Sequence, residues 1–153
     1  MTDRTSKQVD RIAASCIAVR LRLLNRVVTN LYDEALRPLG LKISQMNVLV
    51  VAARLGVARP AQVSELLHLD LSTLSRNVDR MMAKGWLETV AEEDARTQPF
   101  RLTDRGWRLL ERAFPAWEKA QQQAAELLGE PGVAVLDEAA KRLGLRPSRD
   151  EPS

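Results

Sequence analysis

Residues 59–89 read RPAQVSELLHLDLSTLSRNVDRMMAKGWLET, and this stretch decides the fold. A proline at its start and the apolar spacing after it predict a short helix over 60–67. Asp70 is predicted as the N-cap of a second helix over 71–84, which Gly85 ends. The predicted buried side of that helix is Leu74, Val78, Met81 and Met82. Two helices joined by a turn of a few residues have the layout of a helix-turn-helix.

Two strand-like segments follow the helix pair, over 86–90 and 99–102, and they extend the unit to a winged helix-turn-helix. Pro99 has no amide hydrogen to give to a sheet. The second strand is therefore expected to be short or to pair only on its other edge.

The ends of the chain carry long apolar stripes at helical spacing. They predict a long first helix over 9–36, about 40 Å at 1.5 Å per residue, a fifth helix capped by Thr103 and kinked at Pro115, and a last helix over 133–143. These stripes could cover each other within one chain. The length of the first helix favours a second copy as the cover, and thus a homodimer.

The predicted fold is mainly α with a small β-wing. A winged helix-turn-helix lobe occupies 41–103, and its first helix, over 44–55, has Ser44 as N-cap. The N- and C-terminal helices, 1–40 and 104–146, build a helical dimerisation region. The tail 147–153 is expected to be disordered.

The composition excludes several classes of protein. One cysteine excludes an intramolecular disulfide, and His68, the only histidine, has no neighbours at metal-ligand spacing, so no metal site is expected. The chain has no phosphate-binding glycine loop and no nucleophile paired with a base, so neither enzymatic activity nor a cofactor is expected. No signal peptide or membrane span is apparent, which predicts a cytoplasmic protein.

The charge distribution does not by itself identify a DNA-binding lobe. Residues 1–55 carry nine Lys/Arg against four Asp/Glu, whereas residues 56–103 carry six against seven. Any attraction of the lobe to DNA must therefore come from individual side chains.

Small polar and basic residues occupy the outer face of the helix over 71–84 in its N-terminal half, the end that meets base edges in a helix-turn-helix. They are Ser72, Thr73, Ser75, Arg76 and Asn77. An arginine can make a two-pronged contact to guanine. These residues are the predicted contacts to double-stranded DNA, although a solvated helix face has the same composition.

The chain resembles the MarR (multiple antibiotic resistance) family of transcriptional regulators over about residues 20–128. The resemblance rests on LYDEALRPLGLKISQ, on AQVSELLHLDLSTLSRNVDRMMAKGWLE, and on the DxR…LT pattern of Asp94, Arg96, Leu102 and Thr103. It implies a homodimer whose two winged lobes bind a palindrome. It also implies that Arg96 enters the minor groove, that Asp94 orients it, and that the protein represses transcription until a small molecule or cysteine oxidation releases it.

Two candidate sensing features follow from that resemblance. Cys16, which the long first helix would carry on its apolar face, is either a redox sensor or a small buried hydrophobe. A cleft between the dimerisation region and the lobe is a candidate pocket for a small aromatic or anionic effector. The residues predicted there are Tyr32, Met46 and Trp107, with Arg20 or Arg26 as the counter-charge. The alternative function is a winged-helix domain that contacts proteins without binding DNA.

Overall fold

A computed structural model of the protein describes residues 3–91 and 98–145. The described chain contains six α-helices, a single-turn 3-10 helix (Arg37–Leu39) and two strands. The α-helices are α1 (Asp3–Ser15), α2 (Ile17–Leu36), α3 (Ile43–Leu55), α4 (Pro60–Leu67), α5 (Leu71–Ala83) and α6 (Asp104–Arg142); the strands are β1 (Leu87–Thr89) and β2 (Phe100–Leu102). This mainly helical fold with a two-stranded wing is the predicted one. The tail beyond Leu145 lies outside the described residues.

The predicted helix-turn-helix corresponds to α4 and α5. His68 ends α4 in the left-handed conformation, at φ 50°, and the amide of Leu69 donates to the carbonyl oxygen of Ser64 at 3.0 Å. Asp70 then caps α5 by accepting the amide hydrogen of Thr73. His68 thus serves the turn of the motif, and α5 begins where its N-cap was predicted.

The wing is a two-stranded antiparallel sheet in which Leu87 pairs with Leu102 and Thr89 with Phe100. β2 has only three residues, as the proline before it predicted. Phe100 is also bonded on its other side, where its amide and carbonyl both bond to Ala58, at 2.9 and 2.8 Å. This bridge ties the wing to the segment that precedes α4.

Thr103 fixes the start of α6 against the end of α5. Its hydroxyl oxygen accepts the amide of Gly106 at 3.1 Å, and the hydroxyl donates to the carbonyl oxygen of Gly85 at 2.6 Å. Its own amide donates to the carbonyl oxygen of Trp86 at 3.1 Å. Movement of α6 is therefore coupled directly to the C-terminal end of α5.

The single long helix predicted over 9–36 is wrong, because the chain breaks at Cys16 into α1 and α2. Cys16 has an extended ψ of 110°. Ser15 donates its hydroxyl to the carbonyl oxygen of Arg11 at 2.6 Å, a back-bond that commonly bends helices. Arg20 bridges the break by donating to the carbonyl oxygen of Ala14.

Two further helix boundaries differ from prediction. α3 begins at Ile43 with Lys42 as N-cap, not at Ser44, because the carboxylate of Asp33 accepts the amide of Ile43 at 2.8 Å. In α6 the dihedral angles stay helical at Pro115, and the break lies at Gly129. That break separates the C-terminal segment, which the sequence predicted as a helix of its own.

The core lies between the winged lobe and the adjoining parts of α2 and α6. Its buried apolar residues include Leu36, Val48, Leu49, Val63, Leu74, Met81, Trp86, Phe100, Leu109 and Ala113. None of the helices within 3–91 and 98–145 is long and apolar enough to cross a membrane.

The two terminal helices α2 and α6 pack on each other but leave much of their apolar surface uncovered. Ile17 is 71 % exposed and Val135 is 67 % exposed. Between the helices runs an open groove of about 670 Å³, which we call the apolar groove. Its lining is Leu21, Leu24, Asn25, Val28, Leu128, Pro131, Gly132, Val135 and Leu136. Contact between the two helices therefore does not satisfy their stripes within one chain.

Candidate nucleic-acid interface

The first turn of α5 is organised around the carboxylate of Asp70. The amide of Thr73 donates to it at 2.9 Å, the hydroxyl of Thr73 at 2.6 Å, and the hydroxyl of Ser72 at 2.5 Å. Both hydroxyl hydrogens are thus used within the protein. Ser72 and Thr73 keep lone pairs, so in this arrangement they can accept hydrogen bonds from base amino groups but do not donate them.

These hydrogen bonds determine the charge of the cap. The hydroxyl of Ser72, followed by the hydroxyl and amide of Thr73, holds the pKa of Asp70 well below the usual range of an aspartate, and the positive charge of Arg76 acts in the same direction. Because the folded pKa is lowered, the carboxylate stabilises the folded state above its unfolded pKa, near 4. That contribution is lost as the pH falls through the folded pKa.

Removing both hydroxyls in the variant Ser72→Ala/Thr73→Val is expected to raise the pKa of Asp70 toward the usual aspartate range. The measurement is an NMR titration of the carboxyl carbon. Ser75→Ala is the control, since it removes an exposed hydroxyl from the same helix. An unchanged titration in the double variant would mean that the hydroxyls do not set this pKa.

The outward face of α5 carries most of the predicted contacts. Ser75 and Arg76 are exposed, whereas Asn77 is half-buried. Arg80, which the sequence analysis did not single out, is exposed one turn after Arg76, and Asp79 is exposed beside it. The i, i+4 spacing of the two arginines was the signal available in the sequence, since residues four apart lie on one face of a helix.

Only the base of the wing lies within the described residues. Arg96, the predicted wing contact, and Asp94, the acid predicted to orient it, lie outside the described residues. At the base of the wing, Arg101 pairs with Glu88 across the two strands, with Nε 2.7 Å from the carboxylate. The charge of Arg101 is therefore already balanced within the sheet.

Cys16, the predicted redox residue, lies at the break between α1 and α2 and is half-buried. The guanidinium of Arg20, one turn after Cys16, donates to the carbonyl oxygen of Ala14 across the break. The structure therefore places the thiol at a helix junction, not on the continuous apolar face that was predicted.

The residues predicted for an effector pocket lie in different surroundings. Met46 is buried in the core of the winged lobe, and Trp107 is 48 % exposed on α6. The hydroxyl of Tyr32 donates to the side-chain oxygen of Gln121, and partial burial raises the pKa of Tyr32. Arg26 is exposed on α2, and Arg20 is held at the helix break. The pocket stays a prediction.

Comparison with known proteins agrees with this geometry. Residues 39–97 match the sequence model of the MarR family, a range that begins in the 3-10 turn and takes in the helix-turn-helix and the predicted wing contact. The multiple antibiotic resistance protein MarR of Salmonella typhimurium is 27 % identical over 124 residues, which are 79 % of this chain and 85 % of that protein. By sequence over the winged lobe, and by fold over most of its length, the chain is similar to MarR-family proteins.

Two solved MarR-family structures extend the likeness beyond the winged lobe. A mutant MarR from E. coli complexed with operator DNA superposes with a TM-score of 0.77, at 24 % identity, over 87 % of this chain and 96 % of that one. The M. tuberculosis transcriptional regulator MOSR in complex with DNA has a TM-score of 0.69, at 28 % identity, over 84 % and 98 %. The MarR family consists of transcriptional regulators, not of enzymes.

Proposed function

We propose that this chain is a transcriptional repressor that binds a palindromic operator in double-stranded DNA as a homodimer, and that a small molecule or an oxidant releases it. The observation that carries the proposal is the outer face of α5. Ser72, Ser75 and Arg76 are exposed there, on a helix whose first turn is held by an ionised cap. A helix held rigidly by its cap can position side chains against base edges without ordering them at the moment of binding.

The winged lobe has almost no net charge, so its attraction to DNA must come from a few individual cations. Arg76 and Arg80 are the exposed cations on the outer face of α5, and Arg96 is the proposed minor-groove contact. A few phosphate contacts give a moderate salt dependence, since the logarithm of the binding constant falls by about 0.9 per neutralised phosphate for each unit of log salt. The protein thus depends on base contacts for much of its specificity.

The homodimer is supported by the uncovered apolar surface at the ends of the chain. Besides the apolar groove, exposed apolar side chains lie on α1, where Val9 is 54 % exposed and Ile12 is 64 % exposed. Exposed apolar patches of more than a few hundred Å² usually mark an interface. We therefore assign dimerisation to 1–40 and 104–146 and DNA binding to 41–103.

Two features support release of the protein from DNA by a signal. The family resemblance supports a small aromatic or anionic effector bound near Tyr32 and Trp107, with Arg20, Arg26 and Met46 around them. It also supports oxidation at Cys16, whose thiol is half-buried at a helix junction. Movement at that junction would reach the proposed dimer interface, because α2 contributes to the apolar groove.

A protein-contact domain without DNA binding is the second candidate. The balanced charge of residues 56–103 favours it, as does the neutralisation of Arg101 by Glu88. The decisive experiment measures binding of a DNA fragment from upstream of the gene at two salt concentrations. The affinity is expected to fall as salt rises, and an affinity that does not fall would remove the DNA-binding function.

Arg76→Ala is expected to weaken binding to the operator by roughly 5- to 150-fold, which corresponds to about 1–3 kcal/mol for a two-pronged base contact. Binding to unrelated DNA should change much less. Fluorescence anisotropy with both DNAs measures the difference. Lys119→Ala is the control, because it removes the same charge from an exposed position on α6. Equal losses on both DNAs would mean that Arg76 contacts only phosphate.

A further inference from the structure

A second cavity, of about 380 Å³, lies where three parts of the fold meet. Its lining is Leu39, Trp86, Arg105, Arg108, Leu109 and Arg112. Leu39 belongs to the 3-10 turn after α2, Trp86 follows the end of α5, and the other four belong to the first third of α6. We call it the arginine pocket. A volume of this size suits a small ligand.

The arginine pocket and the apolar groove lie on different parts of α6, since positions 105–112 line the first and positions 128–136 line the second. Positions 105, 108 and 112 follow the three-and-four spacing that places side chains on one helix face. Trp107 and Phe114, which are exposed and apolar, project from a face more than 90° away at 100° per residue. A ligand in the arginine pocket would therefore not need the second copy, nor the predicted effector residues near Tyr32.

Three arginines line this one cavity. Within the described residues, no carboxylate forms an ion pair with Arg105, Arg108 or Arg112, although Asp104 and Glu111 lie on the same helix. Nearby, Lys84 adds a fourth positive charge, with Nζ 4.3 Å from the centroid of the Trp86 ring and 2.8 Å from the carbonyl oxygen of Gly40. Among the residues that the structure describes, the pocket thus concentrates positive charge that no ion pair balances.

The buried lining of the arginine pocket is apolar. Trp86 and Leu109 are buried, and Leu39 is half-buried beside them. Lys84 lies over the ring of Trp86, so the apolar surface that a ligand would meet comes from the remaining lining atoms of Trp86 and from two leucine side chains. Walls of arginine around such a surface suit a molecule that is charged at one end and apolar at the other.

We propose that the arginine pocket binds an organic phosphate, that is, a phosphate monoester with an apolar body. A phosphate monoester carries a charge of about −1.5 to −2 at pH 7 and offers three terminal oxygens, which can be shared among several guanidinium groups. A single carboxylate would be satisfied by one two-pronged arginine and would leave the others uncompensated. The number of arginines therefore favours phosphate.

The position of the pocket gives this ligand a route to regulation. Lys84 and Trp86 directly follow α5, and the backbone carbonyl of Gly85 is bonded to Thr103 at the start of α6. A phosphate bridging the arginines to this turn would bias the angle of α5 relative to α6. This consequence rests on the proposed DNA-binding function, whereas binding of the phosphate does not.

The test is calorimetric titration of the full chain with phenyl phosphate, in the absence of DNA. We expect one site per chain, weaker binding of inorganic phosphate, which lacks the apolar body, and no binding of phenol, which lacks the charge. Arg108→Ala and Arg112→Ala should each weaken phenyl phosphate binding about tenfold or more. Lys119→Ala, with the same loss of charge on α6 outside the pocket, should change it less than about twofold.

Three results would overturn the proposal: no binding of phenyl phosphate to the unmodified chain, equal affinity for inorganic phosphate, or a loss in Lys119→Ala as large as in Arg108→Ala. The three substituted residues are exposed, so thermal unfolding should match that of the unmodified chain. Since no DNA is present, failure here leaves the proposed repressor function standing. Failure of the salt experiment would likewise leave the pocket standing.

Discussion

Replacing Gly106 by alanine is expected to lower the free energy of unfolding by about 3 kcal/mol, at the upper end of the usual cost of overpacking. A Cβ at this position would lie 2.2 Å from the carbonyl oxygen of Trp86 and 3.3 Å from Cγ of Leu102. The carbonyl oxygen belongs to the backbone and is held by the amide of Thr103, so it cannot rotate away. The first turn of α6 would have to move.

Chemical denaturation of Gly106→Ala and Gly106→Ser measures this effect, and the serine variant should be at least as unstable. Glu111→Ala is the control, because it changes an exposed position on the same helix and should stay within about 0.5 kcal/mol. A Gly106→Ala variant as stable as the unmodified chain would show that α6 does not approach Trp86 this closely. The requirement at Gly106 is space, since its φ is not in the left-handed region.

A charge in the apolar groove is expected to convert the dimer to a monomer. Leu24 is 47 % exposed and Leu136 is 48 % exposed in the single chain, so Leu24→Glu and Leu136→Glu should fold normally. Covering either glutamate with a second copy would bury an unpaired charge, which costs several kcal/mol. Sedimentation should therefore show a monomer at micromolar concentration. Operator affinity should fall by a hundredfold or more, because each lobe then binds one half-site alone.

Lys119→Glu is the control for the dimer experiment, since it places the same new charge at an exposed position outside the apolar groove. Circular dichroism establishes that each variant keeps its helical content. A dimer that persists in both groove variants would place the interface elsewhere. A monomeric unmodified chain would remove the homodimer from the proposed function.

The local features of the winged lobe could be predicted from the sequence because their signals act over a few residues. Asp70 and Thr103 were identified as N-caps from residue type and position, and both side chains accept an amide hydrogen three residues on. Pro99 is a similarly local signal. It predicted a short second strand, because a proline lacks the amide hydrogen that a strand donates. The resemblance to the MarR family also rests on local motifs, in the winged lobe and in residues 31–45 that lead into it.

The candidate site was predicted less completely. Residue type identified Ser72, Thr73 and Arg76, but it could not show that both hydroxyls donate to Asp70. Arg80 was missed although its spacing from Arg76 was visible. The break at Cys16 was missed because the apolar periodicity continues through it, whereas the competing hydrogen bonds of Ser15 and Arg20 depend on side-chain geometry.

The order and type of the elements in the winged lobe thus follow from the sequence, because apolar periodicity, caps and helix-ending residues act within a single turn or strand. Contacts between segments that are far apart in the chain could be identified only from the tertiary structure. The bridge from Phe100 to Ala58 joins the wing to the segment before α4, and the approach of Gly106 to Trp86 leaves no room for a methyl group. The arginine pocket likewise forms only when the turn at Leu39 meets α6. No local sequence pattern predicts these long-range contacts, because they depend on how all the helices and strands pack together.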